Sequence, residues 1–268
     1  MTTAQKIIKY FAAALAIALI VSILGVCMGI LGIFGGLTYE NKLTDDLKSY
    51  SLSYNIKALK IDVGATKLSI TEADEFSVSS NIKNIEISEK DGVLFIGEDN
   101  YFGKTANNSV VKLYIPYEFK FEKADIKLGA GEMYIDTLSA DTLSLKLDAG
   151  KATVKKLYAA EKSEIDGGAG EIKIYGGTLN NLNLNMGIGE ISLTSAVKGK
   201  SEIDCGVGEA DINLEGSKAD YKLKFDKGIG YAAVNGVKIR DNSVLGTGEN
   251  EIEIDGGVGK VKVDFVSE

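Results

Sequence analysis

The side chains best placed for chemistry in this 268-residue chain are carboxylates that return at near-constant intervals. Glu171, Glu190 and Glu209 stand 19 residues apart, and Asp166 and Asp204 each fall two residues before a recurring glycine slot. A column of hard oxygens is what a weak calcium stripe would need, since calcium takes about 6–8 oxygen ligands. The competing reading is turn chemistry, in which Asp accepts from the backbone amide two residues on and Glu stays in water. A calcium-binding β-roll needs Gly-Gly-x-Gly-x-Asp at a nonapeptide period. Here Gly167-Gly168-Ala169-Gly170-Glu171 runs into Ile172, at about twice that period. Asp166, Glu171, Glu190, Asp204 and Glu209 are therefore weak calcium candidates.

Other chemistry is thinly supplied. Histidine is absent, which removes the commonest general base, the Ser-His and Cys-His pairs, and imidazole metal sites. Cys205 holds a slot occupied elsewhere by Leu128, Leu147 and Met186, so it reads as a small buried side chain rather than a nucleophile. Gly199-Lys200-Ser201 is a fragment of a phosphate loop, but Thr194 stands where the opening glycine belongs. No catalytic residue and no cofactor are expected. Lys6 and Lys9 are the only charges in residues 1–36. Without them the 30 basic residues fall to 28 against 38 acids, a formal charge of −10. Such a surface repels nucleic acid, and the lone arginine, Arg240, argues against bidentate phosphate recognition.

The carboxylates are positioned by a repeat. Its first-glycine slot falls at Gly129, Asp148, Gly168, Gly187, Gly206, Gly228 and Gly257, in steps of 19, 20, 19, 19, 22 and 29 residues. Three residues before it come Ile126, Leu145, Ile165, Leu184, Ile203, Phe225 and Ile254. Four and six residues after it come pairs such as Met133 and Ile135, Ile172 and Ile174, and Ile191 and Leu193. Polar residues fill the gaps, which is strand periodicity. Each copy reads strand, Gly-x-Gly corner, strand, return loop, and one copy alone cannot bury its apolar face. The pattern predicts an all-β protein: a single β-solenoid, parallel β-helix-like, of short coils of about 19–20 residues. Stacked antiparallel hairpins are the competing layout.

Along the chain, residues 1–9 are a cytoplasmic N-terminus, and 10–39, free of charge, predict one transmembrane α-helix. About 27 helical residues span roughly 40 Å, enough for a bilayer core of ~30 Å with tilt. A cleaved signal peptide is the alternative, but Ala12-Ala13-Ala14 precedes most of the apolar run. Cys27 reads as a membrane cysteine, not a lipoprotein box. Residues 40–54 form a stalk and 55–268 the solenoid. Within it, 55–125 are an irregular N-terminal cap holding one degenerate copy (Ile61, Val63, Gly64, Leu68 and Ile70, with Thr66 for the second glycine). Residues 126–230 are regular coils, and 231–268 are C-terminal coils with a hairpin insertion at Asn235-Gly236. Pro116 ends a strand. The last strand, with Val261, Val263 and Phe265, is expected at an open edge defended by Lys260, Lys262 and Asp264.

Seven registered copies, six of them Gly-x-Gly, with Leu-Tyr-Ile-Pro at 113–116 and Gly-Val-Gly-Lys-Val-Lys-Val at 257–263, make the chain, over about 51–268, resemble the bacterial putative-adhesin family. This is a β-strand-repeat domain of unknown function, common in Gram-positive bacteria. The resemblance implies a surface β-solenoid, often membrane-anchored and sometimes linked to envelope stress, and it carries no catalytic residues. The reading is a non-enzymatic adhesion or envelope scaffold module, single-pass in the cell membrane with its C-terminal domain outside. It would contact an envelope protein, a wall polymer or another copy of itself. The alternatives are a polysaccharide-active β-helix enzyme and a self-assembling filament.

Overall fold

A computed structural model describes residues 43–53, 55–98 and 108–266. The expected cytoplasmic segment 1–9, helix 10–39 and membrane Cys27 lie outside the described residues. Among those described, no helix is long and apolar enough to cross a membrane. The strands are β1 (Leu43–Ser51), β2 (Ala58–Ala73), β3 (Ser77–Ile82), β4 (Ile85–Lys90), β5 (Val93–Glu98) and β6 (Val110–Pro116). There follow β7 (Lys120–Ile174), β8 (Gly177–Asn180), β9 (Leu182–Lys198), β10 (Lys200–Asp204) and β11 (Val207–Glu215). A 3₁₀ turn at Lys218–Asp220 precedes β12 (Tyr221–Asp226), β13 (Ile229–Val234), β14 (Val237–Lys238), β15 (Ser243–Leu245), β16 (Asn250–Asp255) and β17 (Val258–Val266). All seventeen belong to one sheet.

The alternating apolar residues make parallel ladders because each coil repeats the same inward set one step along. Ile165 pairs with Leu184 and Leu184 with Ile203. Beyond the corner, Ile172, Ile191 and Ala210 stack, as do Ile174, Leu193 and Ile212. All of these side chains are buried, each large one worth roughly 1.5–3 kcal/mol before entropy is subtracted. The return stretch is not a loop. Leu157 pairs with Gly177, Ala159 with Leu179 and Leu179 with Val197, giving a third ladder whose inward residues are again buried. That third side is why β7 runs through 55 residues without losing its ladder bonding.

Spatial order departs from chain order at both ends. The degenerate copy holds its predicted register, Ile61 on Ile126, Val63 on Leu128, Leu68 on Met133 and Ile70 on Ile135. Yet β2 also pairs, on its other side, with β5 and β6. The chain therefore passes from β6 to β7 across β2. Outside lie antiparallel strands: β4 on β5, β3 on β6, and β1 on β3. Residues 43–51, expected within a stalk, form that outermost strand. Phe76, Phe119 and Phe121 close this end, with edge-on ring centroids 4.8 Å apart in two of the pairs.

At the other end β16 lies between β10 and β12, and β17 between β11 and β13. The coil of β16 and β17 is thus inserted between two coils that precede it. This corrects the expected open edge at Val261, Val263 and Phe265: β17 is paired on both sides. The placement sets unlike charges in register across β11 and β17. Lys260 lies 3.7 Å from Glu209 and Lys262 3.1 Å from Asp211. Stacked in chain order, those acids would face Tyr231 and Ala233 instead, the residues that share their slots in β13. The Asn235-Gly236 turn does join β13 to antiparallel β14, and β15 runs antiparallel to β12. Antiparallel pairing is confined to these ends.

Candidate functional site

The repeat's corner is built by the second glycine. Gly170 has φ +133° and Gly189 φ +145°, a region open to glycine and strained for other residues. A Cβ at Gly170 would lie 1.8 Å from the carbonyl oxygen of Gly150 in the next coil, and one at Gly189 would lie 1.9 Å from that of Gly170. The corner thus brings backbone against backbone. Thr66 takes this slot in β2, where its Oγ1 is buried without a hydrogen-bond partner.

The five sequence candidates separate into two columns. Asp166, Asn185 and Asp204 stack before the corner, with Asn185 Nδ2 donating to Asp166 Oδ1 at 3.0 Å. Asp204 accepts from the Gly206 amide at 3.1 Å, the turn chemistry expected of it. Glu171, Glu190 and Glu209 stack after the corner, where lysines meet them. Glu171 contacts Lys151 and Lys173, Glu190 is 3.7 Å from Lys173, and Glu209 is held by Lys260. Hydrogen bonds from Lys151 and Lys173 hold the Glu171 carboxyl below its usual range, and Glu171 raises Lys173 in return. Among the described residues, no group of three or more His, Cys, Asp or Glu is arranged to hold a metal ion.

Two features depend on the coil order and on the middle residue of the corner. Insertion of β16 places Asp255 between Asp204 and Asp226, and each of the three caps the amide two residues on. The middle residue of Gly-x-Gly also forms a ridge: Ile188, Val207, Val258 and Ile229 lie in register, with Val258 37% and Ile229 45% exposed. The change from Ala130, Ala149 and Ala169 to branched residues in later copies was the available signal. Cys205 is buried as expected, and burial foremost pushes its thiol up to about 12, with Asp204 and Asp255 adding to the rise. A thiol so raised stays protonated at neutral pH. Glu251, reached by both Lys222 and Lys224, is held down at about 2.

Two open hollows lie among the described residues. One of about 240 Å³ lies beside Thr66 and Ser109, and one of about 290 Å³ beside Asn183, Glu202 and Glu253.

A protein-family model, Toastrack DUF4097, matches residues 56–238. Similar solved structures include a putative cell adhesion protein from Clostridium sporogenes, at 17% identity, TM-score 0.36, and 82% of this chain against 99% of that one. A putative adhesin from Bacteroides fragilis matches at 17% identity and TM-score 0.36, covering 82% and 98%. A putative lipid binding protein from Parabacteroides distasonis matches at 11% identity and TM-score 0.36, covering 82% and 98%. No curated protein matches.

Proposed function

The chain belongs to the Toastrack DUF4097 family, and on that premise we infer that it is a membrane-anchored, surface-exposed interaction module that works without catalysis. Its envelope contacts would be made by the faces of the solenoid. The observation that carries this is the state of the carboxylates: the Glu column is paired with lysines of its own or neighbouring coils, Asp204, Asp226 and Asp255 cap corner amides, and Asp166 accepts from Asn185. Catalytic carboxylates, by contrast, need environments that set their pKa values apart. The charge-free run 10–39 behind Lys6 and Lys9 supports an anchor with the folded body outside. The exposed Ile188–Ile229 ridge, flanked by glycines, offers a protein or polymer partner an apolar edge amid polar faces. Antiparallel strands over both ends of the stack argue against end-to-end filament growth.

The test is to add protease to intact cells making the full-length chain and then to capture partners after cross-linking. The reading expects the folded body to be cleaved or labelled from outside and to retain an envelope component. Val258→Asp with Ile229→Asp should cut that capture about tenfold. Full protection in intact cells, or turnover of a glycan by the purified chain, would overturn it.

A further inference from the structure

We propose that the coil formed by β16 and β17 is exchangeable between copies of this chain: the slot between β10–β11 and β12–β13 of one copy accepts the same segment of a second copy, interlocking the two. The inserted coil and its contacts within the slot carry this, independently of the proposed surface role.

The slot exists because the coil of β12 and β13 precedes in sequence the coil that separates it from β10 and β11. Its inward residues Phe225, Ala232 and Val234 occupy the same columns as Ile203, Ala210 and Ile212. Direct stacking of these two coils is thus a competing arrangement until β16 and β17 enter. While the slot is open, any copy of the segment can fill it.

What holds the segment is local to the slot. The backbone bonds run from Cys205 N to Asp255 O, Val258 N to Gly206 O, Gly256 N to Asp226 O and Ile229 N to Gly257 O. Lys260 and Lys262 meet Glu209 and Asp211 on one side, and Glu251 meets Lys222 and Lys224 on the other. Ile252, Ile254, Val261 and Val263 are buried in the ladders. None of these contacts involves the connecting residues 246–249, so the same set forms with a segment from either copy. Only the connection differs, and it is glycine-rich, with Gly246 at φ +79° and the Gly248 amide bonded to Tyr221 O. Exchange of an identical element is a low-cost route to association under those conditions.

The slot also selects its occupant. A Cβ at Gly259 would sit 1.8 Å from the Gly208 carbonyl oxygen, and one at Gly230 would sit 1.8 Å from that of Gly259. An entering strand must therefore carry glycine there, and lysines at the two following polar positions meet Glu209 and Asp211. This chain's own β17 meets that description, and an unrelated edge strand would not.

Two full-length chains test it, both carrying Cys27→Ser and Cys205→Ala, one with Glu202→Cys and the other with Glu253→Cys. Positions 202 and 253 are ladder partners, so a disulfide between these two chains requires exchange. The chains are unfolded together, refolded in detergent and oxidised. The expected result is an inter-chain product about fivefold above a control pair of Glu202→Cys with Glu161→Cys, rising with chain concentration. Equal yields from the two pairs would overturn the proposal. Native-sequence chains with two different affinity tags give a second readout that needs no substitutions in the slot. Co-capture after joint refolding, and not after mixing of separately folded chains, supports exchange; no excess after joint refolding refutes it.

Discussion

A single carbonyl oxygen explains why the corner tolerates so little. At Gly170 both the positive φ and the 1.8 Å approach to Gly150 O exclude a side chain. At Gly236 φ is +72° but a Cβ would meet nothing within 4 Å. Gly236→Ala should therefore cost about 1 kcal/mol, the strain of the left-handed conformation alone. Gly170→Ala should cost about 4 kcal/mol or more, because a whole coil must shift. Urea unfolding of the full-length chain followed by circular dichroism separates the two, and equal costs would show that the corners are not closely stacked. Glu251 carries a second residue-scale prediction. Lys224, then Lys222, holds its carboxyl at about 2 against an ordinary 4.5. Because the folded value is depressed, the stability it adds is present in full above about pH 4.5 and is lost as the pH falls toward about 2. Glu251→Gln should thus lower the urea midpoint at pH 7 and leave it unchanged near pH 2. A loss of equal size at both would contradict the assignment.

Whole ladders, rather than single contacts, make each coil stable. Leu184 sits, fully buried, between Ile165 and Ile203. Leu184→Ala should cost roughly 2–5 kcal/mol and, because coils fold with their neighbours, should shift one cooperative transition. Two separated transitions in calorimetry would contradict this. These ladders were legible in the sequence, since Ile165, Leu184 and Ile203 recur at the same distance from a glycine and point the same way. The third ladder was less legible: one slot is filled by Leu157 in one coil and by Gly177 in the next, and the Ala159–Leu179–Val197 column slips by one residue against the corner glycine at Val197. Strand β1 was hidden for a related reason. Residues 43–51 read Leu-Thr-Asp-Asp-Leu-Lys-Ser-Tyr-Ser, a polar run without strict alternation, and its strand character comes from the free edge of β3. The site-level reading fared similarly. The Asp and Glu columns could be placed from spacing, whereas the Asp204–Asp255–Asp226 row depends on which coil neighbours which.

For the molecule as a whole, repetition specifies the coil and leaves the order of coils open, because interchangeable apolar columns let any coil stack on any other. Order must come from what differs between copies, and the lysines of β17 set against Glu209 and Asp211 are one such difference. The same principle accounts for the ends, where coils that break the pattern are covered by antiparallel strands instead of continuing the stack. Whether the terminal coil is inserted can be read by disulfide trapping within one chain. In a Cys27→Ser, Cys205→Ala background, Glu202→Cys with Glu253→Cys joins ladder neighbours. Glu202→Cys with Lys224→Cys joins positions separated by β16, about 9–10 Å apart at strand spacing and too far for a disulfide. Insertion gives rapid intrachain closure of the first pair and none of the second; closure of 202 with 224 in preference to 253 would show that the coils stack in chain order.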